Sequence, residues 1–331
     1  MQIRKLQTTS GGTYILTIPK DWIESIGLSK GDLVSVELED NSIVISPTKV
    51  KPVSQTRSIE LEQFKDEKLL ELCITASYIQ GHDITEIVSS SKIPPDQKRW
   101  VRQAVEGLIG VEIAEDYADK VVLQNLIDTS KFDIARLLEK FSLTSKAVFQ
   151  DAIKALVSKD LSLAQDAFER GQESTKLYRL LMRLSLQAVK SRKVREEMKI
   201  SDLTDAVINV IATRELGRIA YYAMRIAQHA GEIQRDLDSE LVSTIQKMSR
   251  VTIDMQEQSF LSLVKRDLVQ ASSIIDKMAS VRRLYESAQL LVQKIPDKQC
   301  LPISLIVRDI RAVAGYTVAL ADVAVLSIFA R

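Results

Sequence analysis

The chain is poor in the residues from which reactive centres are most often built. Its 331 residues include only two histidines, His82 and His229, and two cysteines, Cys73 and Cys300. Two imidazoles so far apart argue against a histidine-built zinc centre or acid–base site. The cysteines lie outside any C-x-x-C spacing and read as reduced thiols of a cytoplasmic protein. Charge of one sign is also missing: 45 basic against 44 acidic side chains leave +1. There is thus no global electrostatic attraction to nucleic acid, and any basic patch is local. No phosphate-binding glycine loop, dinucleotide fingerprint or nucleophile elbow is present. With no catalytic constellation and no cofactor motif, the chain reads as a non-enzyme without a cofactor. Its N-terminus enters a strand pattern at once, without the apolar segment of a secretory leader.

What is present is concentrated first in Thr13 to Asp32, TYILTIPKDWIESIGLSKGD. Ile15, Leu16 and Ile18 make an apolar strand, and Pro19, with its fixed φ and missing N–H, opens a short helix. Trp22, Ile23 and Ile26 recur at helical spacing, and Gly27 stands where a left-handed residue ends a helix. Val34, Val36 and Leu38 then alternate with polar residues, and Asp40-Asn41 reverses the chain into Ile43 and Ile45. Upstream, Gly11-Gly12 joins a strand over 2–7 to one over 13–18. Four strands and two helical turns in about 50 residues cannot bury a sufficient core, so a partner is implied.

Ile18-Pro19, Ile26-Gly27-Leu28 and Gly31-Asp32 resemble the swapped-hairpin domain of the AbrB/SpoVT family. The resemblance implies a homodimer that interleaves strands into one barrel and binds DNA. In the family's bacterial DNA binders arginines fall where Ile23 and Glu24 stand here, so the implied contacts reduce to Arg4, Lys5 and Lys20. Within residues 1–50 five bases face six acids, a net charge of −1. Phosphate neutralisation supplies most non-specific affinity, so those bases must cluster to bind DNA. The alternative is a small β-rich module that only dimerises.

Residues 47–57, PTKVKPVSQTR, lack periodicity and read as a linker. From 58 to 126 the pattern is mixed: a strand at Ser58, a helix over 69–79, an extended stretch over 84–88, a helix after Pro94-Pro95 ended by Gly110, and strands around Ile113 and Val122. We expect a compact α/β domain in which the strands around Ile113 and Val122 belong to one antiparallel sheet. His82 beside Asp83 reads as an exposed turn rather than a ligand pair.

Beyond Leu126 helical periodicity takes over. Asp128, Thr129 and Ser130 are cap candidates for the first helix, Lys159-Asp160 interrupts it, and Ser162-x-x-Gln165 is a capping-box pattern for the second. A third helix runs from about Ser201-Asp202 to Ala230. The plan then repeats, with helices over about 241–264 and 271–295, a stop at Pro296, and a last helix after Pro302. The third and last helices align without gaps: Leu216, Ile219, Ala220, Tyr222, Ile226 and Ala227 match Ile310, Val313, Ala314, Tyr316, Leu320 and Ala321. A duplicated three-helix bundle follows.

The stretch Arg214 to Ala223 and its counterpart Arg308 to Thr317 resemble the PhoU family of phosphate-uptake regulators, which is built from two such bundles. An AbrB-like head on PhoU-like bundles looks like a known archaeal arrangement. The resemblance implies carboxylates holding iron or zinc clusters, four residues apart on these helices. Here those positions are Gly217 and Tyr221 in the first repeat and Arg311 and Gly315 in the second. On the second helix, Gly171 and Thr175 stand where aspartates are favoured. No multinuclear metal site is therefore expected, because hard cations need several anionic oxygens and a guanidinium repels them.

Residues 312–330 carry a single charge, Asp322, over a length that can cross a bilayer. A central aspartate costs about 2.5–3.5 kcal/mol on insertion, so we expect a bundle centre without membrane insertion, in which Asp322 is a buried polar site, functional or merely satisfied.

The expected architecture is α+β and multidomain: an AbrB-like swapped-hairpin β domain (1–46), a linker (47–57), a small α/β domain (58–126) and two PhoU-like three-helix bundles (127–231 and 232–331). The expected function is a cytoplasmic, dimeric, DNA-binding transcriptional regulator of phosphate uptake. Its partners would be DNA and, through the bundles, phosphate transporter or sensor proteins. The alternative is an adaptor of a phosphate transport system that uses its head only to dimerise.

Overall fold

The computed structural model describes residues 3–39, 42–48, 55–233, 236–295 and 300–330. The chain divides into two units, 1–54 and 55–331. In the first, β1 (Gln7–Thr8) pairs antiparallel with β2 (Tyr14–Ile15) through a turn in which Gly12 takes a positive φ of 81°. Both strands are shorter than the sequence pattern implies, and Arg4 and Lys5 precede β1 instead of lying in it. Helix α1 (Lys20–Ser25) follows Pro19. Gly27, at φ 73°, ends it in a Schellman turn, where its N–H donates to the Glu24 carbonyl and that of Leu28 to the Ile23 carbonyl. Asp32 accepts from the Ser29 N–H at 2.7 Å and closes the turn into β3 (Val34–Glu39). β3 pairs antiparallel with β4 (Ser42–Pro47). The expected reversal at Asp40-Asn41 lies outside the described residues.

The apolar side chains of this unit have no interior to enter. Leu28 is buried, at 8% exposure, whereas Val36, Ile43 and Leu38 are 63%, 68% and 78% exposed. Leu38 opposes Ile43 across the hairpin, and Val36 opposes Ile45, so one face is an apolar ladder open to solvent.

The second unit begins with a four-stranded sheet in the order β5-β6-β8-β7. Its strands are β5 (Thr56–Glu60), β6 (Ile84–Val88), β7 (Val111–Asp116) and β8 (Lys120–Asn125). The sheet is mixed rather than wholly antiparallel, because α2 (Glu67–Ile79) is a crossover that returns β6 parallel to β5. α3 (Pro95–Glu106) is capped by Pro94, starts at Pro95 and ends at Gly107, not at the expected Gly110, whose positive φ of 73° serves the turn into β7. Leu70, Ile74 and Tyr78 of α2, with Val101 and Ala104 of α3, pack on Ile59, Ile87, Val121 and Leu123 as a core of their own.

Long helices make up the rest: α4 (Ile134–Ser158), α5 (Leu161–Lys190), the short α6 (Arg192–Glu197), α7 (Leu203–Ala230), α8 (Ser239–Lys265), α9 (Leu268–Val292) and α10 (Cys300–Ile328). α4, α5 and α7 pack as one three-helix bundle and α8, α9 and α10 as another. The two join mainly along α7 and α10, and a single apolar core runs from Ile134 to Ala324.

Duplication is visible in the turns as well as in the helices. α4 ends at Lys159 and α8 at Arg266, each left-handed at φ 54°, and each is followed by an aspartate, Asp160 or Asp267, that caps the next helix. The expected caps are thereby corrected. Ser162 lies inside α5, and Asp133, not Asp128 to Ser130, caps α4, because the earlier residues form a separate single turn capped by Asp128. The stop expected at Pro296 lies outside the described residues, and Pro302 sits in the first turn of α10 rather than before it.

α10 is, among the described residues, the one helix long and apolar enough to cross a membrane by length and composition. Ile303, Ile306, Ile310, Val313, Leu320 and Ala324 of this helix are buried in the shared core. Asp322, expected to be buried, is exposed. The buried carboxylate is Asp309, at 0% exposure. The two are 13 positions apart, which at about 100° per residue places them on nearly opposite faces of one helix.

Candidate functional site

Three features stand out. The first is the seam between the α/β layer and the bundle. α5 presents Arg179, Arg183, Gln187 and Lys190 along one face toward the C-terminal end of α2, a spacing of about one turn each. Arg179 donates to Glu71 at 2.8 Å and to the Gly107 carbonyl at 3.2 Å. Arg183, 1% exposed, donates from Nη1 to the carbonyls of Tyr78 (2.6 Å) and His82 (3.1 Å) and from Nη2 to that of Gly81 (3.3 Å). Its guanidinium also lies 5.1 Å over the Tyr78 ring. Lys190 reaches the Gln80 carbonyl at 2.7 Å. Arg183 and Lys190 thus cap the negative end of the α2 dipole, and Arg179 that of α3. Burial pushes the Arg183 guanidinium below its usual range and the Tyr78 hydroxyl above its own. His82 is half-buried, with Nδ1 3.1 Å from the Ser77 hydroxyl, and Asp83 accepts from the Gln55 N–H at 3.0 Å. The pair is therefore part of a structural corner and not an exposed turn.

The second feature is the crossing of α7 and α10. Tyr222 and Tyr316, matched positions of the two repeats, stack with centroids 5.6 Å apart. Asp309 accepts from Arg308 Nε and Nη2 at 3.0 and 2.9 Å, and its Oδ2 lies 3.1 Å from Arg225 Nε of the other bundle. Two guanidiniums thus hold the one buried carboxylate on this seam.

The third is a cavity of about 320 Å³ between α5 and α7. It collects the positions singled out from the PhoU resemblance: Gly171, Thr175, Gly217 and Tyr221 all line it, with Tyr178, Arg214 and Arg218. A side chain cannot simply be added at the two glycines. A Cβ on Gly217 would stand 2.5 Å from the Tyr178 ring, and one on Gly171 2.7 Å from Met224 Cβ. In the second repeat Arg311 lies 4.7 Å over the Tyr285 ring, and Gly315 faces open space. The residues lining the cavity include no carboxylate, and among the described residues no group of three or more His, Cys, Asp or Glu side chains converges. This donor set does not suit a cluster of hard cations.

In the first unit Arg4, Lys5 and Lys20 are all exposed, and Lys20 pairs with Glu24 at 3.3 Å.

Comparison with known families resolves both ends of this description. Residues 7–53 match the model described as antidote-toxin recognition MazE, bacterial antitoxin, and residues 138–230 match the PhoU domain. The chain carries a MazE/AbrB-like head and a PhoU domain. Among solved structures, PhoU from Pseudomonas aeruginosa is similar with a TM-score of 0.55 at 17% identity, over 60% of this chain and 97% of that one. The phosphate transport system regulatory protein PhoU from Streptococcus pneumoniae matches with a TM-score of 0.48 at 15% identity, over 58% of this chain and 91% of that one. No curated protein sequence matches the chain significantly. The first likeness agrees with the paired bundles around the shared core. A MazE/AbrB-like domain suggests DNA binding and a PhoU domain suggests a role in regulating phosphate transport; proteins of these kinds are generally not enzymes. The stacked Arg–Tyr pairs, the α5–α2 seam and Asp309 were not found from the sequence. Only the polar spacing along α5 carried any trace of them.

Proposed function

We propose that this protein is a homodimeric, cytoplasmic, DNA-binding transcriptional regulator of phosphate uptake, whose PhoU domain senses a signal or docks a phosphate transporter or sensor protein. The observation that carries the reading is the MazE/AbrB-like head with its uncovered apolar ladder. Val36, Leu38 and Ile43 leave water when a second copy pairs with the hairpin, which supplies the core that one copy of this size lacks. The dimer doubles Arg4, Lys5 and Lys20 on one small body, and these are the residues we assign to the phosphate backbone of DNA.

The test is a band-shift titration of the full chain against salt. Arg4→Ala with Lys5→Ala removes four cations from a dimer. At about 0.9 per phosphate contact, the slope of log K against log salt should fall by about 3–4. Deletion of residues 1–46 should abolish binding and reduce the species seen in sedimentation. An unchanged slope in the double variant refutes the assignment.

A second reading, an adaptor that dimerises through its head without touching DNA, is favoured by the net −1 charge of residues 1–50 and by the pairing of Lys20 with Glu24. It predicts no salt-dependent shift for the parent chain.

A further inference from the structure

The cavity between α5 and α7 presents a combination of groups that a cation site does not explain. Arg214 and Arg218 lie one turn apart on α7, both exposed at its rim. Their hydrogen-bond partners are neutral: Arg214 Nη1 donates to the Tyr178 hydroxyl at 3.0 Å and Arg218 Nη1 to the Tyr316 hydroxyl at 2.9 Å. Among the described residues neither forms an ion pair with a carboxylate, in contrast to Arg225 and Arg308, which share Asp309. A guanidinium has five N–H donors, so each retains donors for a ligand. Thr175, Tyr221, Tyr178 and Phe141 also line it, and the Tyr221 hydroxyl accepts from Arg225 Nη1 at 3.4 Å and so keeps its own O–H to donate. The volume of about 320 Å³ is that of a small-molecule pocket.

We infer that this cavity binds the phosphate group of a small ligand, held by Arg214 and Arg218. Two unneutralised guanidiniums match the charge of −1.5 to −2 that a phosphate monoester carries near neutral pH, which a single carboxylate does not. Serine-type and phenolic O–H donors suit the remaining phosphate oxygens, and the tyrosine faces suit a planar ring attached to it. The source of the phosphate is free inorganic phosphate or a mononucleotide, and the two are separable by experiment. This inference goes beyond the regulator reading and is measured without DNA, so its failure leaves the DNA test unaffected.

Isothermal titration of the full chain with inorganic phosphate, with adenosine monophosphate and with adenosine gives the answer. Saturable binding of either phosphate compound, weakened about tenfold or more by Arg214→Gln or Arg218→Gln, is expected. Lys154→Gln, an exposed charge outside the cavity, should leave it unchanged. Binding of both phosphate compounds identifies free phosphate as sufficient, and binding of the nucleotide alone identifies the ester. Both arginines are exposed, so the variants should keep the parent's unfolding midpoint, and that control is run beside each titration. The inference is overturned if neither phosphate compound binds at millimolar concentration, if adenosine binds as tightly as its monophosphate, or if the arginine variants bind like the parent.

Discussion

Arg183 is the side chain whose loss should be felt most widely, because it ties the α/β layer to the helices through three backbone carbonyls at the end of α2. Its guanidinium makes three hydrogen bonds to carbonyls at the end of α2, at 2.6, 3.1 and 3.3 Å. With the Asn125 amide turned to place its oxygen toward Arg183, a fourth bond of 2.6 Å joins them. Bonds to a charged donor contribute about 1.5–3 kcal/mol each, so three amount to roughly 5–9 kcal/mol. Against this stands the desolvation of a guanidinium that is 1% exposed, which costs several kcal/mol. Arg183→Met keeps an apolar stem over the Tyr78 ring and removes both terms, but takes this donor from the His82 carbonyl and leaves those of Tyr78 and Gly81 only the Gly81 N–H at 3.0 Å and the Gln187 amide at 3.5 Å. We expect a net loss of about 3 kcal/mol, near the cost of breaking a buried pair from one side. Arg183→Lys, a point charge without the planar fork, should fall between the two. Urea unfolding measures the shift in midpoint, and hydrogen exchange should show the last amides of α2 losing protection first. A loss under about 0.5 kcal/mol for the methionine variant would show that lysine and glutamine at 190 and 187 carry the seam instead, and would refute this account.

The remaining predictions concern a glycine pair and one titrating group. Gly171→Ala places a Cβ 2.7 Å from Met224 Cβ, an atom fixed to its own backbone, so α5 and α7 must part. It should lower stability by about 1–3 kcal/mol, whereas Gly315→Ala, with nothing within 4 Å, should raise it by about 0.5–1 kcal/mol through helix propensity; thermal unfolding of the two variants must move in opposite directions. Glu62 accepts hydrogen bonds from the Ser90 N–H at 2.6 Å and from the Ser90 and Ser89 hydroxyls at 2.8 Å, which pull its pKa to about 2. Because the folded value lies below the ordinary 4.5, this stabilisation is complete above that pH and is lost as pH falls through 4.5 toward 2. Glu62→Gln should therefore unfold earlier than the parent near neutral pH and converge with it in strong acid; parallel urea midpoints across that window would contradict the assignment.

The features legible in the sequence are those whose physical cause is local. Gly27 ends α1 because a residue free of a Cβ penalty adopts that φ most readily, and its neighbours carry the same helical spacing whatever the chain later packs against. The match between 214–223 and 308–317 is a repeat of side chains, so the paired bundles could be read without knowing how the helices cross. The interruptions at the left-handed lysine and arginine before Asp160 and Asp267 were legible, the first at Lys159-Asp160 and the second as the gap between the helices read over about 241–264 and 271–295, but the two aspartate caps were not. The crossover that makes β6 parallel to β5 was missed because strand direction depends on which strands pair, not on their composition.

At the candidate site the division is sharper. The sequence by itself determined which side chains stand at the PhoU-like positions, glycine, threonine, tyrosine and arginine, none of which carries a carboxylate. It also led to the expectation that the head, with so many apolar residues in so short a unit, takes a partner. Only the tertiary structure decided which aspartate of α10 is buried. That helix is apolar almost all round, so no polar stripe fixes its rotation, and the burial of Asp309 rather than Asp322 goes with Arg225, which the crossing with α7 brings to it beside its own neighbour Arg308. The tertiary structure likewise placed Tyr178 against Gly217 and left Arg214 and Arg218 with neutral partners, because those contacts join residues on different helices.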